Sequence, residues 1–172
     1  VSSGHLTELR QIEVAGFPTG IALSADEQTL FVATSYGKRL LFIDLGSGTE
    51  AGSGLCQIYP YEVKLNADGS RAYVSNWGSS SVSVINTANG QNIADIPVEK
   101  NPEGLSFSSD YSKLYVACSD ADIVSVIDPS TNTVIEEIEM LDDTGLLGAM
   151  PTQMMLDGSR LYVVCAGYNS LA

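Results

Sequence analysis

The sequence predicts an all-β protein, a β-propeller of four-stranded antiparallel blades, from three observations. First, a block that begins at a proline recurs: Pro18, Pro60 and Pro102 are 42 residues apart, and Pro151 follows 49 residues later. Second, every block holds short segments rich in Val, Ile and Tyr, a composition typical of strands. Third, no window shows a sustained helical period. A unit of about 42 residues has the size of a propeller blade, and blade-on-blade packing supplies burial that one small sheet lacks.

Four strands are predicted within the repeat, separated by turns that contain Asp, Asn or Gly. The first strand follows the proline, at 20–24, 62–66, 104–108 and 153–157. The second carries a recurring aromatic-Val motif, at 31–34, 73–76, 115–118 and 162–165. The third is predicted at 40–44, 82–86 and 123–128, and the fourth at 91–98 and 133–140.

The repeat divides the chain into blades and parts of blades. Complete blades are predicted at 18–58, 60–98 and 102–140, and 151–172 is predicted to be the first half of a further blade. Residues 6–14 resemble a fourth strand, so we predict that they form the outer strand of the closing blade. Both ends then leave unpaired sheet edges, which invite pairing. We therefore expect either a fragment of a longer chain or two copies that associate edge to edge.

The residues of the repeat resemble a known family. The proline-glycine start, the Asp-Gly turn, the strand Tyr73-Val74-Ser75-Asn76 and the Val-Ile-Asp strand are similar to the YVTN-type β-propeller repeat of surface-layer and YncE-like proteins. The resemblance covers residues 6 to 172 and implies a seven-bladed ring, of which this chain holds about half. It also implies a bacterial protein that is secreted, periplasmic or on the cell surface. The repeat further resembles the propeller part of bacterial proteins that carry an alkaline-phosphatase-like domain.

Composition and charge exclude some classes of partner. The formal net charge is −13, from 8 basic and 21 acidic residues. Nucleic acids and anionic membranes are bound through Lys and Arg, so neither is expected as a partner. No apolar stretch reaches the length of about 18 residues that spans a bilayer, so membrane insertion is not expected. Cys56, Cys118 and Cys165 show no metal or redox spacing and are predicted to be buried free thiols.

The loops predict where a ligand binds. In propellers, the loop that enters the first strand and the loop between the second and third strands share one face. Here these loops differ between repeats while the strands stay alike, as expected of a binding face on a constant scaffold. The candidate residues on this face are Tyr36, Tyr61, Glu62, Trp77, Glu103, Asp120 and Tyr168, with Leu146 and Leu147 in an insertion at 141–149.

Each candidate has a second interpretation. The aromatic side chains either stack on a ligand or cover the seam between blades. Glu62 and Glu103 lie near the predicted channel, where they form an acid–base pair or, as we favour, each caps a loop or binds solvent. Asp120 with Asp122 suggests calcium, although a calcium loop needs more oxygen ligands. Leu146 and Leu147 contact a partner, a second domain or their own blade.

Enzyme signatures are missing from the sequence. The single histidine is His5, and there is no catalytic triad, phosphate-binding loop, dinucleotide motif or haem motif. We therefore expect no catalytic residues, metal or cofactor in this chain. The predicted function is a non-catalytic binding or scaffold propeller that recognises a protein, a glycan, a cell-wall component or a second domain of the same protein. The alternatives are an accessory propeller of a phosphatase-like hydrolase and a lactonase-like or quinoprotein-like enzyme completed by further blades.

Overall fold

A computed structural model describes residues 10–141, 145, 148–168 and 170–171. The described chain is all-β, with two short 3-10 turns, and forms three four-stranded sheets and one three-stranded sheet. The first sheet contains β1 (Pro18–Leu23), β2 (Thr29–Thr34), β3 (Arg39–Asp44) and β4 (Thr49–Leu55). The second contains β5 (Pro60–Leu65), β6 (Arg71–Asn76), β7 (Ser81–Asn86) and β8 (Asn92–Pro97).

The third sheet contains β9 (Pro102–Phe107), β10 (Leu114–Cys118), β11 (Ile123–Asp128) and β12 (Thr133–Glu139). The fourth contains β13 (Pro151–Asp157), β14 (Arg160–Cys165) and β15 (Ser170–Leu171). In every sheet the strands pair antiparallel in sequence order. The predicted fold class is confirmed: the chain is a β-propeller, and we call its sheets blades one to four.

The first strand of each blade begins at the repeat proline, earlier than predicted in all four blades. Each proline lies opposite the last residue of the second strand, as in Pro18 with Thr34 and Pro60 with Asn76, and the register then shifts. Proline donates no ladder hydrogen bond and is tolerated as the first residue of a strand beside such an irregularity. The proline therefore starts the strand rather than preceding it.

The sequence analysis predicted a complete blade at 18–58 but did not locate its fourth strand, β4. Its residues, Thr-Glu-Ala-Gly-Ser-Gly-Leu, include few of the side chains that favour strands. It pairs with β3 from Asp44 opposite Thr49 to Arg39 opposite Leu55. This segment is therefore a strand because its backbone pairs with β3, and not because its own side chains favour a strand.

Residues 10–14 form no strand, although 6–14 was predicted to be an outer strand; residues 6–9 lie outside the described residues. The outer strand of a blade forms by pairing with the third strand of that blade. No described strand pairs with residues 10–14. Ile12 and Val14 instead pack against Val32, Leu41 and Ile43 on the outer face of blade one.

The hydrophobic core lies between blades. Successive side chains of a strand point to opposite faces, so a second strand that lies between two blades contributes to two interfaces. In β6, Ala72 and Val74 pack towards blade one, whereas Tyr73 packs towards blade three. A third cluster, with Val124 and Val163, joins blades three and four.

The three cysteines are buried and free, as predicted. Burial raises the pKa of Cys56 to about 12 and that of Cys118 to about 11. A thiol with so high a pKa carries almost no thiolate near neutrality, and thiolate is the reactive form. These cysteines therefore act as small core residues.

Candidate functional site

The structure joins the two sets of loops that were predicted to share a face. In each blade the residue before the proline accepts a backbone hydrogen bond from the first residue after the second strand. The N–H groups of Ser35, Trp77, Ser119 and Ala166 donate to the carbonyls of Phe17, Tyr59, Asn101 and Met150 over 2.9, 2.9, 3.1 and 3.0 Å. Four equivalent loop pairs therefore line this face.

The residue before each proline adopts a left-handed backbone. The φ angles are 62° at Phe17, 56° at Tyr59, 56° at Asn101 and 50° at Met150. This conformation costs a non-glycine residue about 1–2 kcal/mol. Since the same strained conformation occurs at four equivalent positions, it is a feature of the repeat. The side chains of Phe17 and Tyr59 at these positions are 62% and 40% exposed.

Four aromatic rings form a continuous series across blades one and two. The ring centroids are 5.4 Å apart from Phe17 to Tyr36, 5.9 Å from Tyr36 to Tyr59 and 6.4 Å from Tyr59 to Trp77. These separations are within the range of favourable aromatic pairs. We call Phe17, Tyr36, Tyr59 and Trp77 the aromatic row.

A pocket of about 390 Å³ opens along the aromatic row. Its wall contains the four row residues with Thr19, Ser35 and Tyr61. The predicted candidates Tyr36, Tyr61 and Trp77 thus meet in one place. Burial raises the pKa of the Tyr61 phenol, and the nearby carboxylates of Glu103 and Glu62 raise it further because they oppose a second negative charge.

Glu103 lies at the Trp77 end of the row. Burial raises the pKa of its carboxyl group, the side chains of Ser119 and Trp77 act in the opposite direction, and Asp120 raises it further. Asp120 is exposed, in the 3-10 turn Ser119–Ala121. The side chain of Asn101, two residues before Glu103, donates to the carbonyl of Trp77 at 3.3 Å, so the loop that carries Glu103 adjoins the Trp77 end of the row.

Glu62 is held at the seam between blades two and three. Its Oε2 atom accepts a hydrogen bond from the backbone N–H of Leu105 at 2.8 Å, and its Oε1 atom lies 2.7 Å from Nζ of Lys64. The side chain is only 15% exposed. Both oxygens thus have protein partners, so Glu62 serves the seam.

Asp122, which was considered together with Asp120 for calcium, holds the loop before blade four. Asp122 accepts backbone hydrogen bonds from Gly148 at 2.7 Å and Met150 at 2.8 Å, so it anchors the insertion before blade four rather than pairing with Asp120. Tyr168 ends the 3-10 turn Ala166–Tyr168, in the loop of blade four equivalent to that of Trp77. Leu146 and Leu147 lie outside the described residues.

Phe17 and Tyr59 were missed as site residues by the sequence analysis. Each precedes a repeat proline, a position that normally favours extended backbone. The available signal was their shared position one residue before Pro18 and Pro60. The left-handed turn that brings them onto the face became visible only in the structure.

A second apolar cavity, of about 380 Å³, lies on blade four and is lined by Gln153, Met154, Met155, Tyr162 and Val164. Val164 occupies the strand position held by Ala33, Ser75 and Ala117 in the other blades. Those three are 0% exposed and Val164 is 44% exposed. In the first three blades this face is covered by the following blade, so the cavity belongs to a blade-packing surface.

Within the described residues, no group of three or more His, Cys, Asp or Glu side chains is placed to hold a metal ion. Among the described residues, no helix has the length and the apolar composition needed to cross a membrane.

Solved structures show the same fold. The chain is similar to a hydrazine synthase of Kuenenia stuttgartiensis, with a TM-score of 0.78 and 27% identity over 93% of this chain and 45% of that one. It is also similar to virginiamycin B lyase of Staphylococcus aureus, with a TM-score of 0.74 and 17% identity over 90% of this chain and 50% of that one. The WD40 repeats of RRP9 match with a TM-score of 0.73 and 13% identity over 93% and 51%.

This chain therefore spans about half the length of the structures it matches. No protein-family model matches the sequence, and no curated protein matches it. Two of these similar structures are named as enzymes and one as WD40 repeats, so the likeness shows the propeller fold and leaves the function open.

Proposed function

We propose that this chain is a non-catalytic binding propeller that holds a partner on the face of the aromatic row. The observation that carries the proposal is four neighbouring aromatic rings lining one open pocket. Exposed aromatic surface gathered at one place, on a rigid scaffold, is typical of binding sites. Tyr and Trp also dominate the binding energy of many interfaces.

The neighbouring structure supports a binding role. The second strands that precede the loops of the row are buried, with Ala33 and Val74 at 0% exposure, so these loops are attached to a well-packed scaffold. Tyr36 is 71% exposed, so most of its surface is open to a partner. A rigid scaffold with exposed loop aromatics lowers the conformational cost of binding.

The experiment uses Trp77, the single tryptophan of the sequence, as a reporter. A fragment library is screened by ¹H–¹⁵N NMR and by Trp77 fluorescence against the wild-type chain and the double variant Y36A/W77A, which is followed by NMR alone. We expect the shifted resonances to cluster at Phe17, Tyr36, Tyr59 and Trp77, and to be lost in the variant. Ile135→Ala, at an exposed apolar residue of β12, is the matched control. Hits scattered over the surface, or retained in Y36A/W77A, would contradict the proposal.

We also propose that the blades are YVTN-type repeats, because Tyr73-Val74-Ser75-Asn76 forms the second strand of a blade at the place where that motif is expected. A second candidate function is the propeller part of an enzyme, favoured by the 27% identity with the hydrazine synthase chain. The two functions are separated by the effect of Y36A/W77A on partner binding and on any turnover that the protein shows. Lost partner binding without any effect on turnover assigns the aromatic row to binding, whereas lost turnover assigns it to the active site of an enzyme.

A further inference from the structure

The aromatic pocket has the chemistry to hold one kind of side chain. Resting on the proposed function, we propose that it takes an arginine side chain from a basic segment of a partner protein. The guanidinium group would stack in the aromatic row and donate hydrogen bonds to the carboxylates at its Trp77 end.

The walls of the pocket suit a flat, weakly hydrated cation. Five aromatic side chains line it: Phe17, Tyr36, Tyr59, Tyr61 and Trp77. Aromatic faces attract cations, and a guanidinium group also stacks on them as a plane. The other lining residues, Thr19 and Ser35, are uncharged, so no protein cation occupies the wall.

Anionic partners for the cation stand at the end of the row. Asn101, two residues before Glu103, donates from its side chain to the carbonyl of Trp77 at 3.3 Å, and its own carbonyl accepts from the N–H of Ser119, the residue before Asp120, at 3.1 Å. These contacts place the loops that carry both acidic residues next to Trp77, and the Glu103 carboxylate raises the pKa of Tyr61 in the pocket wall. Among the described residues, neither Glu103 nor Asp120 forms an ion pair, whereas Glu62 is paired with Lys64. A planar cation donating to carboxylates is the geometry in which arginine is stronger than lysine.

Charge over the whole chain favours the same class of partner. The net charge of −13 attracts a basic segment over a distance and speeds its association. Lys38 and Arg39 follow Tyr36 in sequence but do not line the pocket, and Arg39 is paired with Glu50 at 2.7 Å. The net charge of the chain and the lining of the pocket therefore both favour a cationic partner.

The test compares three peptides that differ at one position: acetyl-Gly-Arg-Gly-amide, the same peptide with citrulline, and the same peptide with lysine. Citrulline keeps the shape of arginine and removes its charge. Binding to the wild-type chain is followed by Trp77 fluorescence and by calorimetry at low and high salt. We expect the arginine peptide to bind roughly tenfold more tightly than the citrulline peptide, more tightly than the lysine peptide, and less tightly at high salt.

Two variants locate the site. Tyr36→Ala changes an exposed side chain, so the fold is retained, and we expect several-fold weaker binding of the arginine peptide. E103Q/D120N is expected to weaken the arginine peptide several-fold and to leave the citrulline peptide unchanged, while Ile135→Ala changes neither. Equal affinity of arginine and citrulline, equal affinity of arginine and lysine, or no binding of the arginine peptide would overturn the inference. If neutral fragments still bind at the row in that case, the proposed function stands and only the arginine assignment fails.

Discussion

The carboxylate of Glu62 on β5 accepts a hydrogen bond from the backbone N–H of Leu105 on β9 at 2.8 Å, and so links the first strands of blades two and three. Ser75 strengthens the same seam, because its hydroxyl accepts from the N–H of Glu62 at 3.0 Å and donates to the carbonyl of Glu103 at 2.7 Å. The innermost strands of neighbouring blades are therefore held together by side chains that reach across from one blade to the next.

Replacing Glu62 by alanine is expected to weaken this seam. The N–H of Leu105 loses its partner in a partly buried place, which costs about 1–3 kcal/mol of unfolding free energy. Lys64→Ala removes only the half-exposed ion pair and is expected to cost less than about 1 kcal/mol. Urea unfolding of both variants measures the difference. Equal losses for the two variants would contradict the seam role of Glu62.

Gly104 is expected to be intolerant of any side chain. A Cβ atom there would lie 2.5 Å from the carbonyl oxygen of Thr152 and 3.0 Å from Cα of Gln153, on the first strand of the next blade. Gly104→Ala must therefore move two blades apart, and we expect a loss of about 1–3 kcal/mol or more.

The matched control for Gly104 is Gly69, which has a φ of +70° and open space around the added Cβ. Gly69→Ala pays only the backbone cost of about 1–2 kcal/mol for a left-handed alanine. Thermal and urea unfolding compare the two variants. A loss below about 1 kcal/mol for Gly104→Ala would show that the blades adjust to the side chain.

We expect the unfolding free energy to fall in acid because of Asp110, in the turn between β9 and β10 of blade three. Hydrogen bonds from Ser108 and Ser112 lower the pKa of Asp110 to about 2, from an ordinary value of 3.8. Because the folded-state pKa is lowered, the stabilisation is present above pH 3.8 and is lost as the pH falls towards 2. Asp26 and Asp68 occupy the same turn in blades one and two, and hydrogen bonds lower their pKa values as well.

The measurement is the unfolding free energy in urea between pH 5 and pH 2. We expect it to fall with pH in the wild-type chain and to fall less steeply in Asp110→Asn, since the amide does not titrate. A variant curve parallel to that of the wild type would mean that Asp110 adds no pH dependence.

The thiols of Cys56 and Cys118 are expected to resist modification in the folded chain. Burial raises their pKa values to about 12 and 11, so thiolate is scarce at pH 8 and the sulfur atoms are covered. Reaction with a thiol reagent at pH 8 should proceed no faster than unfolding, and should become rapid in denaturing urea. Fast labelling without urea would show that these residues are accessible in the folded protein.

Much of the fold could be predicted because its signals are local. The proline period and the alternating strands around Tyr73 and Tyr115 are properties of neighbouring residues, and they give the blades and most strands. By contrast, β4 has no strong strand signal of its own, because its pairing with β3 decides it.

For the site, the sequence by itself determined which loops differ between repeats and placed Tyr36, Tyr61 and Trp77 among them. The tertiary structure alone decided that Phe17 and Tyr59 join them, because a left-handed turn before each proline places the rings of Phe17 and Tyr59 5.4 and 5.9 Å from that of Tyr36. It also decided that Glu62 serves the seam while Glu103 stands beside the pocket. Both outcomes depend on how blades pack, and that packing joins residues about 40 positions apart in the chain, beyond the reach of any local pattern.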